Sequence, residues 1–130
     1  ELQVRLKKNN NRPPIACTTL SSEGSSYTAH INDLNKNSLF LRQFQALASK
    51  KDILIALTTS GKSKNINDLL KYTKMNKIYS LLISGNMGGT SKKYSTESLI
   101  VKSKDTARIQ EIHLLLLHSL AEDIENNLYF

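Results

Sequence analysis

The apolar residues of the chain form three short continuous runs, which read DILIALTT, KIYSLLIS and SLIVKS. Each run is too short for a helix of ordinary length, and polar or glycine-containing stretches bound it. Continuous apolar runs of this kind are typical of strands that are covered on both faces in a parallel sheet. We therefore expect three buried parallel strands between positions 52 and 103.

Three further stretches have the spacing of helices that bury one side. LFLRQFQALAS precedes the first strand, and INDLLKYTKMN lies between the first strand and the second. The last stretch, TARIQEIHLLLLHSLAEDIENN, predicts a helix of roughly five to six turns. Strands that alternate with helices in this way predict an α/β fold with three layers, in which helices flank a doubly wound parallel sheet.

The first 38 residues carry weaker signals. ELQVRLKK, followed by asparagines and two prolines, predicts the end of a helix, so the chain is expected to open inside an element. IACTTL predicts a short buried strand that contains the only cysteine, Cys17, to which we assign no chemistry. The serine- and asparagine-rich stretch 21–38 predicts a loop. We take residues 1–130 as a single domain.

Composition is that of a soluble globular protein. Hydrophobic residues make up 39% and charged residues 22% of the chain, which is enough apolar material for a packed core. No apolar run approaches the ~20 residues that span a bilayer, and the N-terminus lacks the residue order of a signal peptide. We expect a cytoplasmic protein with no membrane partner.

The formal charge of +7 would suit an acidic partner such as nucleic acid. The lysines are scattered singly and in pairs, however, and aromatic residues make up only 6%. An ordinary solvated surface explains this pattern best, and a positive field also attracts small phosphorylated substrates. We expect no nucleic acid partner.

The last predicted helix is unusual because IHLLLLHSL is apolar nearly all the way round. A helix that lies on one face of a sheet normally keeps a polar outer stripe. Its second apolar side needs a partner, most simply the same helix of another subunit. We therefore predict a homo-oligomer with this helix in the interface.

The stretch TTSGKSKN follows the first strand run, where an open α/β sheet usually binds its ligand. Its G-K-S ends like a nucleotide-binding loop, but Ala56 stands where that loop has its first glycine. Hydroxyls and free amides at a helix N-terminus form an anion site, which favours a single phosphoryl group. Ordinary helix capping by serine and threonine explains the same residues about equally well.

The segment DILIALTTSGKSKNI resembles the signature of the sugar isomerase (SIS) domain family, in which an S-T-S-G-x-S-x-N loop grips a sugar phosphate. The segment SKDTARIQEIHLLLLHSL is similar to the C-terminal helix of one branch, the phosphoheptose isomerases. RPPIACTT, INDL and LRQFQAL match that branch too, so the resemblance covers essentially the whole chain. It implies a SIS domain with a flavodoxin-like sheet of five parallel strands, in a homotetramer with sites between subunits and one zinc per subunit.

The resemblance implies an isomerase that converts sedoheptulose 7-phosphate to D-glycero-D-manno-heptose 7-phosphate through an enediol, in heptose biosynthesis for surface polysaccharide such as lipopolysaccharide. Glu1 and His118 would be the acid and base, on opposite sides of the reacting carbons. The same two residues and Gln110, which would also contact substrate, would bind the metal. The phosphate would bind the hydroxyl residues of the loop, which are Thr58, Thr59, Ser60 and Ser63.

Other features depart from the family pattern. The family's upstream N-terminal helical segment and first glycine-rich loop are expected to be missing from this chain, and with them a zinc-binding histidine. Leu20 and Ala107 stand where the family usually has aspartate. The alternative reading is therefore a non-catalytic SIS-domain protein, one that binds a sugar phosphate or associates with a replication initiator. Read without the family, His118 would be an ordinary core histidine and Gln110 an ordinary surface residue.

Overall fold

The computed structural model describes residues 1–8, 11–20 and 24–129. The described residues form a parallel sheet of three strands in the order β1-β2-β3, together with four α-helices and three short 3-10 turns. The strands are β1 (Ile53–Thr58), β2 (Tyr79–Ser84) and β3 (Glu97–Ile100). The α-helices are α1 (Gly24–Asp33), α2 (Leu39–Leu47), α3 (Lys64–Met75) and α4 (Thr106–Tyr129). The α/β fold and its parallel sheet are as predicted.

The core lies between the sheet and helices α2 and α3. Alternate strand residues point to one face, where Leu54, Ala56 and Leu82 meet Phe44 and Leu70 of the two helices. In β2 the residue of opposite parity, Ile83, is also fully buried, and α4 packs against this strand. The central strand is thus covered on both faces, as its continuous apolar sequence predicts.

Strands β1 and β3 are covered less completely than predicted. Ile53 is 65% exposed, and Leu57 and Leu99 are 39% and 44% exposed. Leu57 and Leu99 flank Ile83 in the register of the sheet, so they share one face with it. The prediction of cover on both faces is therefore wrong for the two outer strands of the described chain. The sheet of the described residues has three strands, whereas the resemblance implied five.

The N-terminal segment differs from its prediction. Residues 1–8 form turns rather than the end of a helix, and the Val4 amide donates to the Glu1 carbonyl over 3.2 Å. The IACTTL stretch forms no strand, and Cys17 is exposed rather than buried. The Ile15 amide donates instead to the Leu2 carbonyl over 3.0 Å. A backbone hydrogen bond between the two segments thus stands where a helix and a strand were expected.

The predicted loop over residues 21–38 contains helix α1 and a 3-10 turn at Lys36–Ser38. Residues 21–23 of that prediction lie outside the described residues. Within α1 only His30 is buried, and its Nε2 lies 3.0 Å from the Asn35 carbonyl. The loop prediction is wrong because α1 is held by a polar contact and has no apolar stripe to reveal it. Within the described ranges, no helix combines the length and apolar character needed to cross a membrane.

Candidate functional site

The loop after β1 is fastened by its own hydroxyl groups. Thr58 is buried, and its Oγ1 lies 3.0 Å from Ser63 Oγ. The Gly61 amide also donates to Thr58 Oγ1, over 3.2 Å. Ser60 Oγ accepts from the Lys62 amide over 3.1 Å, so three of the four predicted phosphate-binding hydroxyls help to hold the shape of the loop.

Gly61 allows this loop to pack directly against the loop after β2. Its φ of 65° lies in the left-handed region, and an added Cβ would stand 2.3 Å from the Gly88 carbonyl. From the other loop, the Ser91 amide and hydroxyl donate to the Gly61 carbonyl over 2.9 and 2.8 Å. The ends of two neighbouring strands thus carry loops that are locked together backbone to backbone.

The N-terminus of α3 is open to an anion. Ser63 precedes this helix and makes no side-chain capping bond, and the first turn contains no acidic residue. The unpaired amides of a helix start and the positive end of its dipole favour a phosphate. Helix α4 is different, because Asp105 Oδ1 accepts from the amides of Ala107 and Arg108 over 2.9 and 3.3 Å. At the start of α3 the Ile66 amide donates to Asn65 Oδ1 over 2.9 Å, but this oxygen is uncharged, so the start of α3 is the less negative of the two and the better phosphate site.

A cleft of about 340 Å³ opens beside this loop, at the carboxyl ends of the strands. Its size suits a small phosphorylated molecule. The cleft is lined by Thr59, Ser60, Asn86, Lys104, Thr106 and Ile109. Two of the predicted phosphate-binding residues, Thr59 and Ser60, therefore line a cavity whose wall also includes a positively charged side chain, that of Lys104.

Glu1 and His118 are brought together from opposite ends of the sequence. Glu1 Oε1 lies 3.7 Å from His118 Nε2, and the two side chains are 46% and 48% exposed. The sequence led us to expect these two groups on opposite sides of the reacting carbons. A gap of this size leaves no room for a pair of carbon atoms, so the two groups of one chain cannot flank them. They form a carboxylate–imidazole couple instead, open to solvent along one side.

The chain is 40% identical to phosphoheptose isomerase 1 of Campylobacter jejuni over 127 residues, which cover 98% of this chain and 67% of that protein. The chain belongs to the phosphoheptose isomerase family. A second relative, the phosphoheptose isomerase of Leptospira biflexa, is 41% identical over 99% of this chain and 66% of its own length. The chain thus spans about two thirds of the length of these relatives. No protein-family model matches it.

Solved structures give the same result. A phosphoheptose isomerase from Francisella tularensis superposes with a TM-score of 0.88 and 29% identity over 97% of this chain and 66% of that one. The enzyme from Neisseria gonorrhoeae gives a TM-score of 0.77 and 32% identity over 81% and 60%. The family and the fold predicted from the two motifs are therefore confirmed. These relatives are named as isomerases, which does not favour the non-catalytic alternative.

In this member of the family, Gln110 stands apart from the Glu1–His118 couple. It is exposed on α4, eight residues before His118 and about 12 Å along the helix axis from it. Carboxylate and imidazole are both ordinary zinc donors, so the couple fits two positions of a zinc site. Among the described residues, however, no three His, Cys, Asp or Glu side chains cluster closely enough to hold an ion. The couple alone is an incomplete ligand set.

The other histidine of this helix, His113, lies inside the protein. It is buried, and its Nε2 has no partner in the described structure. Burial lowers the pKa of His113, and a hydrogen bond with the Ser84 backbone offsets part of that effect. A neutral, enclosed imidazole is suited to packing α4 on the sheet.

Sequence reasoning did not single out Asn86, Lys104 or Thr106 as site residues of this family member. All three follow the ends of β2 or β3 in the chain. The rule that ligands bind beyond the carboxyl ends of parallel strands could have found them, had it been applied to every strand rather than to the first.

Proposed function

We propose that the protein to which this chain belongs isomerises sedoheptulose 7-phosphate to D-glycero-D-manno-heptose 7-phosphate through an enediol. The observation that carries the proposal is the contact of Glu1 with His118 at 3.7 Å, in a chain of the phosphoheptose isomerase family. A carboxylate and an imidazole are the usual groups for moving protons at neutral pH. The product would serve heptose biosynthesis for surface polysaccharide, in the cytoplasm.

The proposed reaction uses both groups on one side of the substrate. The Glu1 carboxylate removes a proton from C1 of the ketose, which gives the enediol, and returns it to C2. His118 gives a proton to the carbonyl oxygen at C2 and takes one from the hydroxyl at C1, so that the carbonyl moves from C2 to C1. Each of the two groups ends the reaction in its starting protonation state, so no further reagent is needed. The 3.7 Å gap supports this arrangement because it places both groups within reach of adjacent atoms.

The substrate phosphate is proposed to bind at the start of α3. Thr59 and Ser60, which precede α3 in the chain, line the neighbouring cleft, and Lys104 and Thr106 line it beside the start of α4. Thr58 and Ser63 would act through the shape of the loop, because their hydroxyls bond to each other. Preformed donors that need no rearrangement lower the cost of ordering the phosphate.

Zinc remains a proposal for this chain. Glu1 and His118 would supply two ligands and Gln110 of another subunit a third, with one ion per subunit. Bound zinc would polarise the substrate carbonyl or an attached hydroxyl. Metal analysis of the full-length protein tests this point, since the Glu1→Gln and His118→Ala variants should each lose most of the zinc that the wild type holds.

A homotetramer with α4 in the interface is proposed on the exposure of this helix. Leu114 and Leu115 are 55% and 63% exposed, one turn before His118 on the same side. Within one chain, Ile109 at the cleft lies about 14 Å along the helix axis from His118. Packing α4 against another subunit would cover the leucines and could bring the couple of one chain close to the cleft of its neighbour.

The deciding experiment uses the full-length protein with sedoheptulose 7-phosphate, with and without added zinc, and follows formation of the aldose. Glu1→Gln and His118→Ala should each lower kcat by about 100-fold or more, which is the usual contribution of general acid–base groups. Glu97→Gln is the matched control, because Glu97 is an exposed carboxylate at the amino end of β3, whereas the cleft opens at the carboxyl ends of the strands. Turnover that survives both substitutions would refute the assignment. A wild type that binds the sugar phosphate without turning it over would favour the non-catalytic alternative.

A further inference from the structure

A buried ion pair, separate from the Glu1–His118 couple and from the cleft, joins the N-terminal segment to the C-terminal part of α4. Arg12 Nη2 lies 2.6 Å from Glu125 Oε1, and Arg12 Nε lies 2.8 Å from the same oxygen. Both side chains are only 1% exposed. Charged side chains are almost never buried so completely unless they are paired. Solvation by water does not account for these two charges, so their burial requires another explanation.

The same two side chains hold the backbone that carries Glu1. Arg12 donates from Nη1 to the Leu2 carbonyl over 2.8 Å and from Nη2 to the Glu1 carbonyl over 3.2 Å. Glu125 Oε1 accepts from the Leu6 amide over 2.7 Å. Three backbone groups of residues 1–6 are thus bound to one buried pair. The Glu1 and Leu2 carbonyls also accept from the Val4 and Ile15 amides, over 3.2 and 3.0 Å.

Geometry links the pair to the acid–base couple. Glu125 is seven residues after His118 on α4, which is about 10 Å along the axis and only about 20° around it. One side of one helix therefore presents His118 and, two turns later, the carboxylate that grips the Glu1 segment. The Glu1 side chain is about half exposed, so packing alone does not hold it.

We propose that Arg12 and Glu125 are positioning residues that fix the Glu1 carboxylate against His118. The planar fork of arginine can bind a carboxylate and backbone carbonyls in one fixed geometry, which lysine cannot do. Buried ion pairs contribute little net stability compared with apolar residues of similar size, so placing Glu1 is a better account of this one than stability. The kinetic part of this proposal rests on the proposed isomerase function.

The test uses the full-length protein and two changes. The paired variant Arg12→Met with Glu125→Leu removes both charges together, so no unpaired charge stays buried. Arg12→Lys keeps the charge but loses the fork. Each variant should lower kcat by roughly 10- to 100-fold, since a displacement of about 1 Å in a catalytic group has effects of this size. KM should stay within about twofold, because the phosphate loop is untouched.

Hydrogen exchange provides a readout that does not depend on turnover. The peptide covering residues 1–8 should exchange faster in both variants, while peptides from β1 and β2 should keep their protection. The matched control is a double variant that carries Lys7→Met and Glu122→Leu. These two side chains also link the segment to α4, but they are 52% and 42% exposed. This control should match the wild type in both measurements.

The outcomes separate the two proposals. A wild type without turnover would refute the isomerase function. Hydrogen exchange at residues 1–8 would still test whether Arg12 and Glu125 hold this segment in place. A folded variant with wild-type kcat and wild-type exchange would overturn the positioning role. Exchange that rises across the whole sheet in Arg12→Lys, with kcat and KM changed together, would show a general structural role and overturn it as well. If the paired variant does not fold, Arg12→Lys decides.

Discussion

Gly61→Ala should loosen the junction between the loops that follow β1 and β2. The added Cβ would stand 2.3 Å from the carbonyl carbon and oxygen of Gly88 and 2.6 Å from the Gly89 nitrogen. All three are backbone atoms, which cannot turn aside as a side chain can. Gly89 makes the same close approach from the other loop, since its own Cβ would lie 2.5 Å from the Gly61 carbonyl oxygen.

Two costs add at this position. A residue with a Cβ held at a φ of 65° costs roughly 1–2 kcal/mol in the left-handed region. Forcing an extra methyl group into a packed contact costs a further 1–3 kcal/mol or so. We therefore expect Gly61→Ala to lower the free energy of unfolding by about 2–5 kcal/mol, unless the loops separate. If they separate, the stability loss is smaller and KM for the sugar phosphate rises instead.

Urea unfolding of the full-length protein, at one protein concentration, measures the first effect, and steady-state kinetics measure the second. Gly24→Ala is the matched control, because an added Cβ at Gly24 meets nothing within 4 Å. It should change the free energy of unfolding by less than about 1 kcal/mol. A Gly61→Ala protein with wild-type stability and wild-type KM would show that the loops are not packed as described.

Three further predictions concern the cleft, the core histidine and the oligomer. Lys104→Met should raise KM about tenfold with little change in kcat, since a charge-assisted bond contributes about 1.5–3 kcal/mol; Lys62→Met, outside the lining of the cleft, should not. The pKa of His113 is lowered by burial from 6.5, so the unfolded chain binds more protons and stability should fall as the pH drops below about 6.5. Urea titrations should show a weaker fall in His113→Gln, and equal slopes would contradict this. Leu114→Glu should reduce the mass measured by light scattering, and an unchanged mass would argue against α4 as the interface.

The central part of the fold could be predicted because its signals are local. Each strand of the sheet is a continuous apolar run, and helices α2 and α3 carry one apolar side each. The same reading missed α1, because His30 is its only buried residue and one polar contact leaves no periodic pattern. It also predicted a strand at IACTTL, which in the structure is an irregular segment at the surface. Apolar content alone therefore did not separate buried segments from exposed ones.

The site was predictable in a different way. The hydroxyl loop is contiguous in sequence, so its spacing and its place after a strand were enough to propose a phosphate site. Glu1 and His118 were named only through the family motif, since nothing in the spacing of a chain indicates which distant residues meet. The contact of their side chains at 3.7 Å came from the structure alone.

The Arg12–Glu125 pair shows why the N-terminal prediction failed. The letters ELQVRLKK have the composition of a helix end, but a helix would use the Glu1 and Leu2 carbonyls in its own ladder. Arg12 binds both of those carbonyls, and its partner Glu125 is 113 residues away. A tertiary contact thus outweighs local propensity in the segment that carries a proposed catalytic group. Local preference is weak in short segments, so a single buried pair can set both the backbone there and the place of the carboxylate.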